Sequence, residues 1–110
     1  MWTPLTDITD EVGGVAFYEG TQGLGELPHV ASGAWGQKAV FDETLYATSF
    51  PRMKAGDVLL FTPLAIHTSA PNTSDQIVRF SIDIRIFTDT NATTKPYLDP
   101  ATGQVHNFSQ

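Results

Sequence analysis

From residue 78 to residue 86 the chain alternates without a break. Val78, Phe80, Ile82, Ile84 and Ile86 are apolar, and the intervening Arg79, Ser81, Asp83 and Arg85 are polar. A helix would scatter these side chains around its axis, whereas a strand sends successive side chains to opposite faces and separates the two sets completely. The pattern therefore predicts a strand over residues 77–87 with one packing face and one polar face. The polar face either looks into solvent, as in many antiparallel sheets, or binds something. Arg79 and Ser81 favour binding: a guanidinium grips both oxygens of a carboxylate, and a hydroxyl two residues on adds a third donor. Asp83 reads as the partner of one of the two arginines.

The rest of the chain agrees with a β fold. No stretch sustains a period of 3.6, and the longest runs are rich in Val, Ile, Phe, Tyr and Thr, bounded by Gly, Pro, Asn and Asp. Strands are expected over residues 2–5, 14–19, 45–50, 58–62 and 77–87. Between the second and third, residues 20–38 hold five glycines and a proline, which reads as a long irregular loop. After Phe87 few aliphatic residues remain, and residues 88–110 are expected to wrap the surface or fray.

With 110 residues the chain is long enough for one domain and one modest core. Its net charge of −6 has the wrong sign for gripping a phosphate backbone, so nucleic acid is not an expected partner. Residues 1–50 carry seven acids and a single base, Lys38, while residues 51–110 carry five of each, so an anion site is expected in the second half. There is no cysteine, which excludes disulfides, thiolate metal sites and a cysteine nucleophile together. No basic segment leads into an apolar run, and no run approaches the roughly 18 apolar residues of a membrane span. The expectation is a soluble, cytoplasmic protein without a membrane partner.

Gly56-Asp57 reads as a turn into a short apolar strand, Pro63 ends it, and His67 follows just past the strand end. An imidazole there either ligates a metal or bonds to loop backbone. His67 and Arg79 lie twelve residues apart across a turn-forming loop containing Pro71, Asn72 and Ser74. Neighbouring strands would let them face one cavity.

AGDVLLF, then His67, then APNTSD, then Arg79-Phe80-Ser81 and SIDIR together resemble the C-terminal half of the non-haem iron, 2-oxoglutarate-dependent oxygenases of the phytanoyl-CoA dioxygenase type. The front half resembles them as well. Trp2-Thr3-Pro4-Leu5, the acidic loop at 6–11, Gly13-Gly14-Val15 and EGTQGLGELPH follow the order of that family's W-x-x-L strand, GG-L and PGSHK-x-G-x-LPH segments. The resemblance covers residues 1 to about 87. It implies a partial double-stranded β-helix (a cupin-like jelly roll) over 1–87, with 88–110 as a tail.

By the same resemblance His67 becomes the distal iron ligand of a two-His, one-carboxylate triad. Arg79, with Ser81 beside it, becomes the cation for the far carboxylate of 2-oxoglutarate. Asn72 and Arg85 match positions the family often keeps, Arg85 being either structural or cavity-lining. The implied cofactors are Fe(II) and 2-oxoglutarate. The implied reaction is hydroxylation of an unactivated carbon, coupled to oxidative decarboxylation of the 2-oxo acid, on a small-molecule substrate the sequence does not name.

The chain also departs from the pattern. The family's triad begins with His-x-Asp or His-x-Glu upstream of the Trp-containing strand, and none of His29, His67 and His106 is followed by such a carboxylate. The family's PGSH is replaced by Glu19-Gly20-Thr21-Gln22. Three readings follow, in this order: the back half of a larger oxygenase, inactive alone; a short relative that binds without iron chemistry; or a site that recruits His29, Asp7, Asp10 or Glu11 as donors, across a dimer if needed. A jelly roll without its first strands exposes sheet edges, so a homo-oligomer is expected. Cupins share the Gly-Asp turn, the proline and the distal His followed by Asn. A non-catalytic cupin-like small-molecule or metal-binding module is therefore the alternative, one that would not need Arg79 and Ser81.

Overall fold

The computed structural model describes residues 1–34, 36–93 and 95–106. Among these, regular structure is β throughout, apart from three short 3-10 turns at Thr21–Leu24, Glu43–Leu45 and Thr90–Ala92. The strands are β1 (Trp2–Pro4), β2 (Val15–Tyr18), β3 (His29–Ser32), β4 (Gly36–Ala39), β5 (Thr48–Ser49), β6 (His67–Ser69), β7 (Ser81–Asp83), β8 (Tyr97–Asp99) and β9 (Gln104–His106). They form small antiparallel sheets. β1 pairs with β7, β2 lies between β5 and β6, and β3–β4 and β8–β9 are separate hairpins. No helix among the described residues is long and apolar enough to cross a membrane.

The core gathers at the front of the chain. Trp2, Ile8, Val12 and Val15 are buried, and Phe17, Phe50, Met53, Leu59 and Phe61 pack against them. Backbone bonds exchanged between Trp2 and Leu59 (2.9 Å each way) and between Ile8 and Met53 (2.8 and 3.2 Å) hold the two sides of this cluster together. Ion pairs of Asp7 with Lys54 and of Asp10 with Arg52 lie outside it. Exposed pairs of that kind add little to stability.

Gly13-Gly14 fits β2 to the chain that follows β6. Gly13 has φ +69°, and a Cβ there would overlap the Pro71 carbonyl oxygen and lie 2.6 Å from that of Ala70. Only glycine permits both the left-handed backbone and that approach. It lets the Ala70 amide donate to the Gly14 carbonyl at 2.8 Å, one step beyond the β2–β6 ladder.

Several expectations from the sequence need correction. The strand expected over 77–87 is regular only at Ser81–Asp83, opposite Pro4, Thr3 and Trp2. Residues 58–62 contribute only the bridge from Leu59 to Trp2, and 45–50 only the two residues of β5. A strand is defined by its partner, and these segments find one for only a few residues. The expected loop at 20–38 contains a 3-10 turn and the β3–β4 hairpin, which reverses through Gly33 at φ +64°. Turn chemistry, not alternation, makes that hairpin. The segment expected to wrap or fray also forms a hairpin, β8–β9, where the Tyr97 ring meets Phe87 and stacks on His106. Residues 107–110 of that segment lie outside the described residues.

The largest correction concerns the apolar face of the alternating segment, for which packing is expected. Val78, Phe80 and Ile86 are 68%, 61% and 74% exposed. The reason is visible in the dimensions. The radius of gyration is 16.2 Å, against roughly 13 Å for a compact domain of this length. The accessible surface is 8373 Å², against roughly 6,000 Å² for a compact monomer of this mass. The core forms around β1 and β2, and nothing described in the chain is left to cover the far face of β7.

Replacing Gly13 with Ala is expected to cost more than about 1 kcal/mol, read as a lower midpoint in equilibrium urea unfolding. An unchanged midpoint would mean that the approach of residues 70–71 does not hold the two segments together.

Candidate functional site

His67 opens β6 opposite Phe17 of β2. Its ring lies against Phe61, with centroids 4.8 Å apart, and near Phe17 at 5.9 Å. Nδ1–H donates to the Ala65 carbonyl at 2.8 Å. That bond sets the tautomer and leaves Nε2 as the nitrogen with a free lone pair. The two phenylalanines and the backbone carbonyl thus orient the imidazole as a single-ended donor.

What seats His67 is a residue that sequence reasoning had no cause to single out. Thr21 is fully buried. Its hydroxyl donates to the Tyr18 carbonyl at 2.7 Å and accepts from the Ile66 amide at 3.0 Å. Tyr18 N–H bonds directly to the Ile66 carbonyl at 3.0 Å, so the Thr21 hydroxyl stands in the second half of that backbone exchange, one residue before His67. A signal exists as a departure: Thr21 lies where the resembled segment carries PGSH. Its meaning depends on a contact across 45 residues.

His67 lines a cavity of about 1050 Å³. Its walls come from the β3–β4 hairpin (His29, Lys38, Ala39), from Glu26 and Leu27 before it, from Tyr18 and Phe41, from residues 63–68 and from Arg85. At the rim the Tyr18 hydroxyl donates to Glu43 Oε2 at 2.8 Å, and Lys38 Nζ to Glu43 Oε1 at 3.2 Å. The Glu43 carboxylate is held below its ordinary pKa by the Tyr18 hydroxyl and by Lys38, and the Tyr18 phenol is pushed up by the same carboxylate. The Tyr18 ring meets Phe41 edge-on at 5.0 Å. This network ties the hairpin to the end of β2.

Arg79 is not among the described residues that line this cavity. Its guanidinium reaches the Gly14 carbonyl at 3.4 Å, at the other end of β2 from the position facing His67. Phe17 lies three residues from Gly14, roughly 10 Å along a strand. Ser81 is in β7 opposite Pro4 and is exposed. The Asn72 side chain acts locally, donating to the Ile77 carbonyl at 2.8 Å and accepting from the Ser74 amide at 3.0 Å, which closes the loop that leads to Arg79. Asp83, expected to pair with an arginine, is in none of the ion pairs of the described residues.

Of the carboxylates considered as replacement donors, Asp7 and Asp10 are engaged elsewhere. Asp7 accepts from the Ala55 amide and from Lys54, and these hold its carboxyl below the ordinary range. Asp10 pairs with Arg52, which lowers it likewise. Glu11 offers its backbone carbonyl to Thr73. His29 does face the cavity with His67. No group of three or more His, Cys, Asp or Glu among the described residues is arranged to hold a metal ion.

Thr21→Val is expected to lower stability by about 1–3 kcal/mol, since it strips both bonds from a buried site. It should also move the His67 ring resonances in a proton NMR spectrum. A full loss of stability with unmoved His67 resonances would count against Thr21 as the residue that positions the imidazole.

Among known protein families the chain matches Phytanoyl-CoA dioxygenase (PhyH) over residues 1–81. No curated protein and no solved structure matches it.

Proposed function

The chain belongs to the phytanoyl-CoA dioxygenase family, and on that premise we propose that it forms part of an Fe(II)/2-oxoglutarate-dependent oxygenase domain, a partial double-stranded β-helix that does not turn over alone. The observation that carries this reading is the oriented His67: Nδ1–H is occupied by the Ala65 carbonyl, and the ring lines a cavity of about 1050 Å³. In this reading Nε2 is one metal donor. Arg79, with Ser81 two residues on at the start of β7, takes the far carboxylate of 2-oxoglutarate.

The metal set does not fit within the described residues. Ferrous iron is held by three convergent protein donors, and although His29, His67 and Glu26 line the cavity, no three such groups among the described residues converge on one point. Bound iron would supply the oxidising chemistry of the family. Here this chain's own residues orient one ligand and anchor one carboxylate, and no reaction step is assigned to them.

Calorimetric titration of 2-oxoglutarate without oxygen, with and without Mn(II), tests the reading. Weak binding that Arg79→Ala abolishes, Mn(II) affinity no tighter than that of a one-histidine site and lost in His67→Ala, and no consumption of 2-oxoglutarate with Fe(II) are expected. Tight metal binding with turnover would overturn the inactivity. Binding that ignores Arg79 would overturn the assignment of the cation and favour a cupin-like binding module.

The exposed apolar row of 78–86 also bears on how this chain exists in solution. The accessible surface of the whole chain exceeds that of a compact monomer by roughly 2,400 Å², more than the roughly 800 Å² each partner buries in an interface of standard size. We infer that a second copy covers this face. Light scattering on the purified chain should give a dimer or larger species, and Phe80→Asp should shift it towards monomer. A monomer at all concentrations would refute the inference.

A further inference from the structure

We propose that Arg85 is a second anion-binding residue of this site, distinct from Arg79, and that the cavity beside His67 takes a carboxylic acid with an apolar, ring-bearing body. The inference rests on the His67 cavity of the reading above but not on Arg79. It starts from how five of the chain's six basic residues, all but Lys95 of the C-terminal segment, are used. Arg52 and Lys54 are engaged by Asp10 and Asp7, away from the cavity. Arg79 is turned to the Gly14 carbonyl. Lys38, the only base among residues 1–50, lies on the cavity wall. Arg85 lies on the same cavity and has no hydrogen bond or ion pair to any described residue. A guanidinium facing a concave surface with no acceptor of its own is an open fork for a carboxylate.

The walls around it determine the rest of the ligand. Leu27, Phe41, Pro63, Leu64 and Ile66 supply apolar surface, and the Tyr18 and Phe41 rings stand edge to face. Glu26 is the one carboxylate among the described lining residues, and Glu43 at the rim pairs with Lys38, which leaves the Arg85 guanidinium as the lining cation without an ion pair. Lys38 is held back by Glu43 at 3.2 Å and exposed, a contact weak enough for an incoming carboxylate to compete with. Arg85 lines this cavity and Arg79 does not, so the two arginines are offered to two different ligands.

The test uses the whole chain, without metal, and two probes of equal shape: 4-phenylbutyrate and its uncharged amide, 4-phenylbutanamide. Affinities are read by two-dimensional NMR, following the Arg Nε–H signals, with 2-oxoglutarate titrated in parallel. The acid should bind roughly tenfold or more tightly than the amide and shift the Arg85 Nε–H signal. Arg85→Gln should erase the preference, and Arg79→Gln should leave it. An amide that binds as well as the acid, no binding of the acid, or a preference that survives Arg85→Gln would overturn the proposal. If 2-oxoglutarate binding still falls with Arg79→Gln in those cases, the reading of Arg79 stands alone. If instead Arg85→Gln abolishes 2-oxoglutarate binding and Arg79→Gln does not, both assignments fall.

Discussion

The close approach of residues 70–71 to Gly13 is the constraint on which the rest of the site depends. Without a Cβ at Gly13, the Ala70 amide reaches the Gly14 carbonyl, and the β2–β6 ladder runs from there to the pair formed by Phe17 and His67. The same Gly14 carbonyl also receives the Arg79 guanidinium. One glycine pair therefore fixes the strand that presents His67 and the backbone atom on which Arg79 rests. A larger residue at Gly13 would disturb both contacts together, since the Ala70 amide and the Arg79 guanidinium share the Gly14 carbonyl as acceptor.

At its other end the ladder is finished by a side chain. The Thr21 hydroxyl takes the place of a carbonyl in the exchange between Tyr18 and Ile66. A buried hydroxyl with both a donor and an acceptor satisfied is stable where a bare methyl would leave two polar groups unpaired. Beyond this point β2 ends, and Tyr18 turns to the Glu43 and Lys38 network that holds the β3–β4 hairpin over the cavity. Rigid ladder and exposed network thus meet at His67. The imidazole is held by the first and faces the space enclosed by the second.

The structure places charge unevenly for a physical reason. Acids near the core, Asp7 and Asp10, neutralise the bases of the 52–54 segment that the bridge from Ile8 to Met53 brings beside them. Arg85 lies beyond the end of β7, past the last residue paired with β1, and no carboxylate of the described residues is carried to it. Lys38, distant in sequence from Arg85, lines the same cavity because a hairpin reverses the chain at Gly33.

The sequence by itself determined the β character of the chain, the places of β1 and β2, and the family. Those depend on side-chain period, on glycine and proline punctuation and on short motifs, all of which are local. His67 and Arg79 were singled out for the same reason, as residue types at fixed offsets from a turn. Only the tertiary structure decided which residues share a cavity: His67 with Arg85, Lys38 and His29, and not with Arg79 or the acids of the front loop. It also decided that the apolar face of 78–86 stays open. Alternation tells which side chains share a face, but whether that face is covered depends on how much chain remains to pack on it, and here the core closes around β1 and β2 before β7 is reached.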